Sequence, residues 1–229
     1  LSHRMDSRSE AEANDEEYWY RKELLSVQHS GIRVEQGLYP TTFRVHYPLE
    51  EPQEVTIIVP FRDKLELLKS CIQSVEKFPP SIPLKWLLVN NCSELQETRE
   101  YLDRLLSSRS DIKVLDYPEE FNFANLHNTA MKQVDTPFVL FMNNDIEALH
   151  DGWLEAMMEH AQRKEVGAVG ALLEYPDGTI QHAGVLVGIG GAADHAFKYL
   201  PVNEPGYGMR AQVVQQLSAV TAACMLMRT

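Results

Sequence analysis

The chain has 229 residues, of which 44% are hydrophobic and 24% are charged, a composition that suits a globular protein with a substantial core. Its formal net charge of −12 argues against nucleic acid as a partner, because no basic stripe offsets the acidic excess. Three widely spaced cysteines, no signal peptide and no apolar run near roughly 18 residues favour a cytoplasmic protein, which leaves open peripheral binding at the inner face of a membrane.

The first 54 residues carry little that predicts a core. Residues 1–16 are polar and charged, which predicts a disordered leader or a cloning remnant. Residues 17–54 are expected to form a helix over the aromatic stretch 18–27 and then an irregular linker with one short strand, because Gly and Pro recur there. The main domain is predicted to cover residues 55–229.

From Val55 onward, the patterns of strands and helices alternate. Short apolar or β-branched runs predict strands over residues 55–60, 84–90, 111–117, 138–142 and 166–173. Apolar residues at helical spacing predict helices over residues 64–77, 94–106, 122–134 and 151–163. This alternation predicts an α/β fold with a mainly parallel sheet and helices on both of its faces.

After Tyr175 the pattern changes to turns and loops. Four glycines make residues 184–191 flexible or tightly packed, and Pro and Gly punctuate residues 201–210. The apolar run AVTAACMLM then predicts a buried strand just before Thr229. Because a domain seldom ends on an uncapped core strand, we expect the domain to continue beyond this residue.

Polar side chains follow three of the predicted strands: Phe61-Arg62-Asp63 the first, Asn90-Asn91 the second, and residues 143–147 the fourth. In a parallel sheet these loops converge at the carboxyl edge, where open α/β sheets bind their ligands. Arginine can meet a phosphate and asparagines suit a base edge or a ribose, while Asp145 can hold Mg²⁺ or Mn²⁺ against a diphosphate. Taken together, the three loops predict a nucleotide site.

Other nucleotide and catalytic signatures are absent from the sequence. There is no G-x-x-x-x-G-K-[ST] loop, no G-x-G-x-x-G after the first strand and no G-x-S-x-G elbow. His182 and His195 have no cysteine nearby, so they do not predict a zinc site. These absences disfavour a dinucleotide-binding oxidoreductase and a hydrolase.

Three ordered motifs, VTIIVPFRDKLELLKSCIQSV, LLVNNCS and FVLFMNNDIE, resemble the nucleotide-binding half of family-2 glycosyltransferases. The stretches FNFANLHNTA, DGWLEAMMEHAQRKEVGAVGALLEYPDGTIQHAGVLVGIGG and GYGMRAQVVQQLSAVTAACMLMR resemble more closely a bacterial subgroup that builds rhamnose-containing and O-antigen polysaccharides. The resemblance covers residues 55–229 and implies a GT-A-like fold, in which a mixed, mainly parallel sheet is flanked by helices and one half is Rossmann-like.

The resemblance also implies a reaction: inverting transfer of a sugar from a UDP- or dTDP-sugar to a glycan or lipid-linked glycan, with Mg²⁺ or Mn²⁺ as cofactor. The residues implied to bind the nucleotide are Pro60, Phe61, Arg62, Asp63, Asn90, Asn91, Asn125, Asn128, Asn143 and Asn144. Asp145 is the implied metal ligand, while Trp153 and His182 are implied to face the sugar or the acceptor.

The chain departs from the family pattern at three points. Asn90 stands where the family often has an acid, and Asn143 replaces the first acid of the D-x-D motif, so that Asp145 is the only carboxylate of that triplet. The general base of the subgroup is expected beyond Thr229. Since an attacking hydroxyl needs such a base, the resemblance predicts that this chain binds the donor but transfers its sugar poorly.

Two further functions stay open at this point. A nucleotidyltransferase that makes sugar nucleotides also uses such a sheet and a metal, but FRDK lacks the glycines expected after the first strand. A non-catalytic module that binds nucleotide or carbohydrate fits the absence of a base. Rhamnose is suggested only by the subgroup, with galactose, glucose and N-acetylhexosamine as alternative donor sugars.

Overall fold

A computed structural model describes residues 31–39, 42–50 and 53–229, so the predicted leader and the helix over 18–27 lie outside the described residues. The strands are β1 (Arg33–Gln36), β2 (Phe43–His46), β3 (Val55–Phe61), β4 (Leu84–Asn90), β5 (Ile112–Asp116), β6 (Phe138–Met142), β7 (Ala168–Gly170), β8 (Leu173–Glu174), β9 (Ile180–His182), β10 (Val185–Val187), β11 (Ala193–His195) and β12 (Cys224–Arg228). The helices are α1 (Leu65–Lys77), α2 (Gln96–Ser108), α3 (Phe123–Met131), α4 (Trp153–Ala161) and a 3₁₀ turn, Tyr207–Met209. Within the described ranges, no helix has the length and apolar character needed to cross a bilayer.

Six strands form the central sheet in the order β5-β4-β3-β6-β12-β7. β5, β4, β3 and β6 are mutually parallel, whereas β12 runs antiparallel to both of its neighbours. The predicted α/β fold with a mixed, mainly parallel sheet is therefore confirmed. The apolar run before Thr229 forms the buried strand that its composition predicts.

Both faces of the sheet are covered, which explains the continuous apolar runs of its central strands. On one face Ile57 and Leu140 pack with residues of α1, α2 and α4, whereas on the other face Ile58 and Val139 pack with residues of α3. Neighbouring residues of one strand point to opposite faces, so both faces of β3 and β6 need apolar side chains. The helices on each face supply the rest of the two clusters.

Two segments differ from the sequence-based expectation. The strand predicted over 166–173 is divided into β7, which joins the central sheet, and β8, which pairs with β9 in a separate sheet. The expected irregular linker with one strand instead holds an antiparallel hairpin, β1–β2, in which Val34 is buried. A contact between the His46 ring and the Glu159 carboxylate of α4 (3.0 Å) anchors this hairpin, and such a distant partner leaves no local signal.

The order of the strands creates a crevice at the carboxyl edge of the sheet. From β3 the chain proceeds through β4 to β5 at one edge, and then crosses back to β6 on the other side of β3. The loops after β3 and β6 therefore leave in opposite directions. Ligands of open α/β sheets bind at such a switch point, so the fold directs attention to the tips of these two strands.

Candidate active site

The tip of β3 is a sharp turn held by Asp63. Asp63 and Lys64 both adopt left-handed backbone conformations, with φ of 47° and 50°. The Asp63 carboxylate accepts hydrogen bonds from the N–H groups of Leu95 (3.1 Å) and Glu94 (3.3 Å) and from the Thr98 hydroxyl (3.3 Å). Although partial burial opposes ionisation, these hydrogen bonds hold the pKa of Asp63 below its usual value. Asp63 thus ties the β3 tip to the start of α2.

Within the predicted 60–63 segment, the side chain best placed to meet a ligand is Arg62. Pro60 is half-buried and Phe61 is packed in the core, so the Phe61 side chain faces away from this edge and only its backbone is left for the predicted nucleotide contact. The Arg62 side chain is 60% exposed and pairs at 3.3 Å with Glu94, whose side chain is 79% exposed. Since exposed ion pairs are weak, Arg62 can turn to a phosphate at little cost.

The two asparagines at the tip of β4 have different roles. Asn91 is only 5% exposed, and its amide donates to the carbonyl oxygens of Tyr117 (3.1 Å) and Glu119 (2.8 Å). Both N–H groups of the Asn91 amide therefore already bind the chain that leaves β5, which corrects the expectation that they donate to a base or ribose.

Asn90, by contrast, is half-buried and forms part of a polar surface. Its amide donates to Asp116 (2.9 Å), its register partner on β5, and its carbonyl accepts from the Ser93 N–H (3.0 Å). Asp116 is an exposed acid at this edge that the sequence analysis did not select. A signal was available, because the run DIKVLD also ends in a polar residue at the carboxyl end of a strand.

The tip of β6 carries the predicted metal ligand. The Asn143 N–H donates to the Ala223 carbonyl (2.9 Å), and the Ile146 N–H donates back to the Asn143 carbonyl (3.2 Å), which closes a turn. Asn143 and Asn144 are half-buried, whereas Asp145 and Glu147 are exposed. This turn presents the two carboxylates to solvent beside the switch point.

The charges of the two carboxylates act on the Cys71 thiol of α1. Burial raises the pKa of this thiol to about 12, and the negative charges of Asp145 and Glu147 add to that effect. Nowhere in the described part of the chain do three His, Cys, Asp or Glu side chains assemble into a metal site. Carboxylate oxygens are the ligands that Mg²⁺ and Mn²⁺ prefer, so the chemistry of Asp145 and Glu147 suits such an ion.

Asn125 and Asn128 lie on α3, which follows β5 and begins near the same edge. The Asn122 side chain caps this helix by accepting from the Asn125 N–H (3.0 Å). Both Asn125 and Asn128 are exposed, so their amides are accessible to a ligand, as the prediction requires.

Trp153, which was implied to face the sugar or acceptor, lies elsewhere. It is 9% exposed, packs in the core and donates its indole N–H to the Phe78 carbonyl (3.1 Å). Phe78 follows α1 and precedes β4, which places it at the amino edge of the parallel strands. The expectation for Trp153 is therefore wrong, because the loop after β6 descends to the opposite edge before α4 begins.

His182 is also buried, with 1% of its surface exposed. The expectation that this side chain faces the sugar or the acceptor is therefore wrong. His182 lies behind a cleft of about 240 Å³ that the sequence analysis did not identify. The residues that line this cleft are Leu173, Tyr175, Gln181, His195, Lys198, Thr221 and Ala223. Ala223 also accepts the hydrogen bond from Asn143, so the cleft adjoins the β6 tip. No sequence spacing reveals it, because its walls come from several separate segments.

The comparison with known proteins now decides the family. A sequence model described as glycosyl transferase family 2 matches residues 56–205. The chain belongs to glycosyl transferase family 2. The resemblance inferred from the three motifs is thereby confirmed at the level of the family, and this family 2 domain carries its predicted nucleotide-site residues at the carboxyl edge of the sheet.

Two relatives are similar over most of this family 2 domain. The O-antigen biosynthesis protein RfbC of Myxococcus xanthus is 39% identical over 192 residues, which are 82% of this chain and 15% of that protein. An uncharacterized protein, y4gI, of Sinorhizobium fredii (strain NBRC 101917 / NGR234) is 37% identical over 205 residues, which are 90% of this chain and 23% of that protein. The chain thus spans less than a quarter of the length of either relative.

Solved structures show weaker similarity. The mannosyltransferase PcManGT from Pyrobaculum calidifontis, in complex with GDP-Man and Mn²⁺, has a TM-score of 0.47 and 19% identity, covering 74% of this chain and 45% of that chain. S. aureus TarS 1-349 in complex with UDP-GlcNAc has a TM-score of 0.41 and 19% identity, covering 51% and 33%. Both TM-scores are low, so these two structures add nothing to the family assignment, which follows from the sequence match.

Proposed function

We propose that this domain is the donor-binding part of an enzyme that transfers a sugar from a UDP- or dTDP-sugar to a growing bacterial glycan, with inversion at the anomeric carbon. One observation supports this function best: Arg62 follows β3 and Asp145 follows β6, so the two residues lie at the carboxyl ends of adjacent strands on either side of the switch point. They supply a cation for a phosphate and a carboxylate for a metal on adjacent strands. Membership of family 2 makes a nucleotide-diphosphate sugar the natural ligand of this edge.

The nucleotide would lie across the tips of β4 and β3 and the start of α3. Asn90 and the adjacent Asp116 present an amide and a carboxylate that can pair with a base edge, while Asn125 and Asn128 present exposed amides to the sugar-phosphate part. Arg62 would take a diphosphate oxygen through a charge-assisted hydrogen bond. Together these groups match the polar parts of a nucleoside diphosphate.

Asp145, with Glu147 beside it, would hold Mg²⁺ or Mn²⁺ together with the diphosphate. When bound, such a metal offsets the negative charge that develops on the departing diphosphate. Arg62 would add its own charge from the other side of the switch point. The predicted general base lies outside the described residues and stays a prediction.

The acceptor is proposed to be a glycan or a lipid-linked glycan, used in the cytoplasm at the inner face of the membrane. Similarity to an O-antigen biosynthesis protein supports a surface polysaccharide as the product. The cleft beside β6 is lined by hydroxyl, amide, imidazole and ammonium groups, which can bind the hydroxyls of a sugar. This lining supports the binding of a sugar near the proposed metal site. Among the possible donor sugars we propose rhamnose, which the resemblance to the bacterial subgroup suggests.

Calorimetric titration tests the donor site directly. UDP, dTDP and GDP would be titrated with and without Mn²⁺ into the wild type and into Asp145→Ala, with Asp151→Ala as a matched control. Asp151 is an exposed acid at the other end of the same loop, before α4. We expect metal-dependent binding of one nucleotide, weakened at least about tenfold in Asp145→Ala, since even second-shell changes alter metal affinity by that much.

Two results would contradict the proposal. Equal binding by wild type and Asp145→Ala would remove Asp145 from the metal site. Release of pyrophosphate from a nucleoside triphosphate and a sugar 1-phosphate would instead support the nucleotidyltransferase alternative.

A further inference from the structure

The cleft beside β6 is backed by a pair of histidine side chains in direct contact. The Nδ1 atoms of His182 and His195 are 3.1 Å apart, and the two rings meet edge to face with centroids separated by 4.9 Å. On its other side, Nε2 of His182 accepts a hydrogen bond from the Thr221 backbone N–H (3.4 Å). His182 is thus fixed at both of its ring nitrogens.

These contacts determine where the protons lie. A backbone N–H can only donate, so Nε2 of His182 carries no proton and its Nδ1 does, because a neutral imidazole has one N–H. Burial lowers the pKa of His182 to about 4, which keeps this ring neutral. Nδ1–H of His182 therefore donates to Nδ1 of His195. His195 must then accept at Nδ1 and carry its own proton at Nε2.

His195 differs from His182 in its exposure. It is half-buried and lines the cleft with Gln181 and Lys198, whereas His182 is sealed behind it. The backbone N–H of His195 donates to the Asp194 carboxylate (2.7 Å), which holds the main chain at this point of β11. His195 can accept from His182 only at an Nδ1 that carries no proton, so the contact leaves Nε2 as the position of its N–H.

We propose that His182 is a positioning residue that holds His195 as a neutral Nε2–H donor in the cleft, where His195 binds an oxygen atom of the sugar to be transferred. The identity of that sugar depends on the proposed function, whereas the hydrogen-bonding role of His182 does not. A neutral donor suits a sugar hydroxyl or ring oxygen, which accepts a hydrogen bond without carrying charge. Lys198 in the same cleft is available for the adjoining diphosphate.

The tautomer of His195 is measurable by long-range ¹H–¹⁵N NMR correlation of the imidazole nitrogens at neutral pH. We expect the wild type to show Nε2–H at His195 and Nδ1–H at His182. The His182→Asn variant retains an amide N–H near the former Nδ1, so it should preserve the His195 tautomer. The His182→Phe variant fills the space but donates nothing, so His195 should become a mixture of tautomers.

A matched control separates this role from simple burial. His160 is a half-buried histidine of α4 that packs against Tyr47, and His160→Phe should leave the His195 signals unchanged. Thermal unfolding would show whether each variant is folded. If His182→Phe fails to fold, the wild type still tests the role, because a His195 protonated at Nδ1 would refute it. A wild-type His195 protonated at Nδ1, or a tautomer unaffected by His182→Phe, would overturn the positioning role.

The sugar contact is tested by comparing each nucleotide with its sugar derivative. UDP against UDP-glucose and UDP-galactose, and dTDP against dTDP-rhamnose, would be titrated into wild type, His182→Phe and His195→Ala. Loss of one neutral hydrogen bond should weaken the sugar nucleotide about fivefold and leave the parent nucleotide unchanged. Equal effects on both, or no effect on either, would overturn the sugar contact. Failure of every nucleotide to bind would refute the proposed function, while the tautomer measurement would still decide the role of His182.

Discussion

Replacing Asp63 by alanine tests the role of its carboxylate. Either this group holds the β3 tip in place, or it is only a contact for a nucleotide. The Asp63 carboxylate oxygens accept three hydrogen bonds from the segment that starts α2, a role equivalent to a helix cap supplied from a distant loop. Loss of a capping side chain typically destabilises a protein by about 0.5–2 kcal/mol. In addition, φ of 47° at this position costs alanine about 1–2 kcal/mol, whereas Asp and Asn tolerate it better.

The two effects together predict that Asp63→Ala lowers the free energy of unfolding by about 1.5–4 kcal/mol. Asp63→Asn keeps the tolerance for a left-handed conformation and one acceptor oxygen, so it should lose only about 1 kcal/mol. The control is Asp103→Ala on the exposed face of α2, which should change stability by less than about 0.5 kcal/mol. Urea unfolding followed by circular dichroism measures all three.

The same reasoning predicts a dependence on pH. Because the folded state lowers the pKa of Asp63, the folded state binds this proton less readily than the unfolded chain does. The stabilisation is therefore present above the unfolded pKa of about 3.9 and is lost as pH falls through the folded pKa. The gap between wild type and Asp63→Asn should shrink over that range. Unchanged stability in Asp63→Ala, with nucleotide binding abolished, would refute the structural role.

Three further variants test other contacts by the same unfolding assay. Trp153→Phe should lower the free energy of unfolding by about 1 kcal/mol, because the hydrogen bond to the Phe78 carbonyl is lost. Its nucleotide affinity should not change, because this contact lies at the opposite edge of the sheet, and weaker nucleotide binding would contradict that placement. Arg228→Met should lower the free energy of unfolding by about 3 kcal/mol or more, since the Arg228 guanidinium donates to four backbone carbonyls at and just after the end of α4. Arg228→Lys should restore only part of this stability. Leu226→Ala, at a side chain with 0% exposure between β6 and β7, should lose about 2–5 kcal/mol.

The elements that follow from local pattern were predicted well. The strands over 84–90 and 138–142 coincide with β4 and β6, because a continuous apolar run between polar residues marks a strand covered on both faces. Helices were found with their ends shifted by a few residues at most, as the predicted 94–106 and the observed α2 illustrate. The β1–β2 hairpin was not predicted, since its stability depends on α4, more than 100 positions away in the chain.

The sequence by itself determined the kind of fold and the edge at which the candidate site lies, because alternating strands and helices lead to a parallel sheet whose loops converge. It did not determine which polar side chains remain available there. Asn90 and Asn91 are the same residue type at adjacent positions, yet one faces the surface and the other binds the carbonyls of Tyr117 and Glu119. Whether a polar group faces a ligand depends on partners brought by distant segments, and only the tertiary structure supplies those partners.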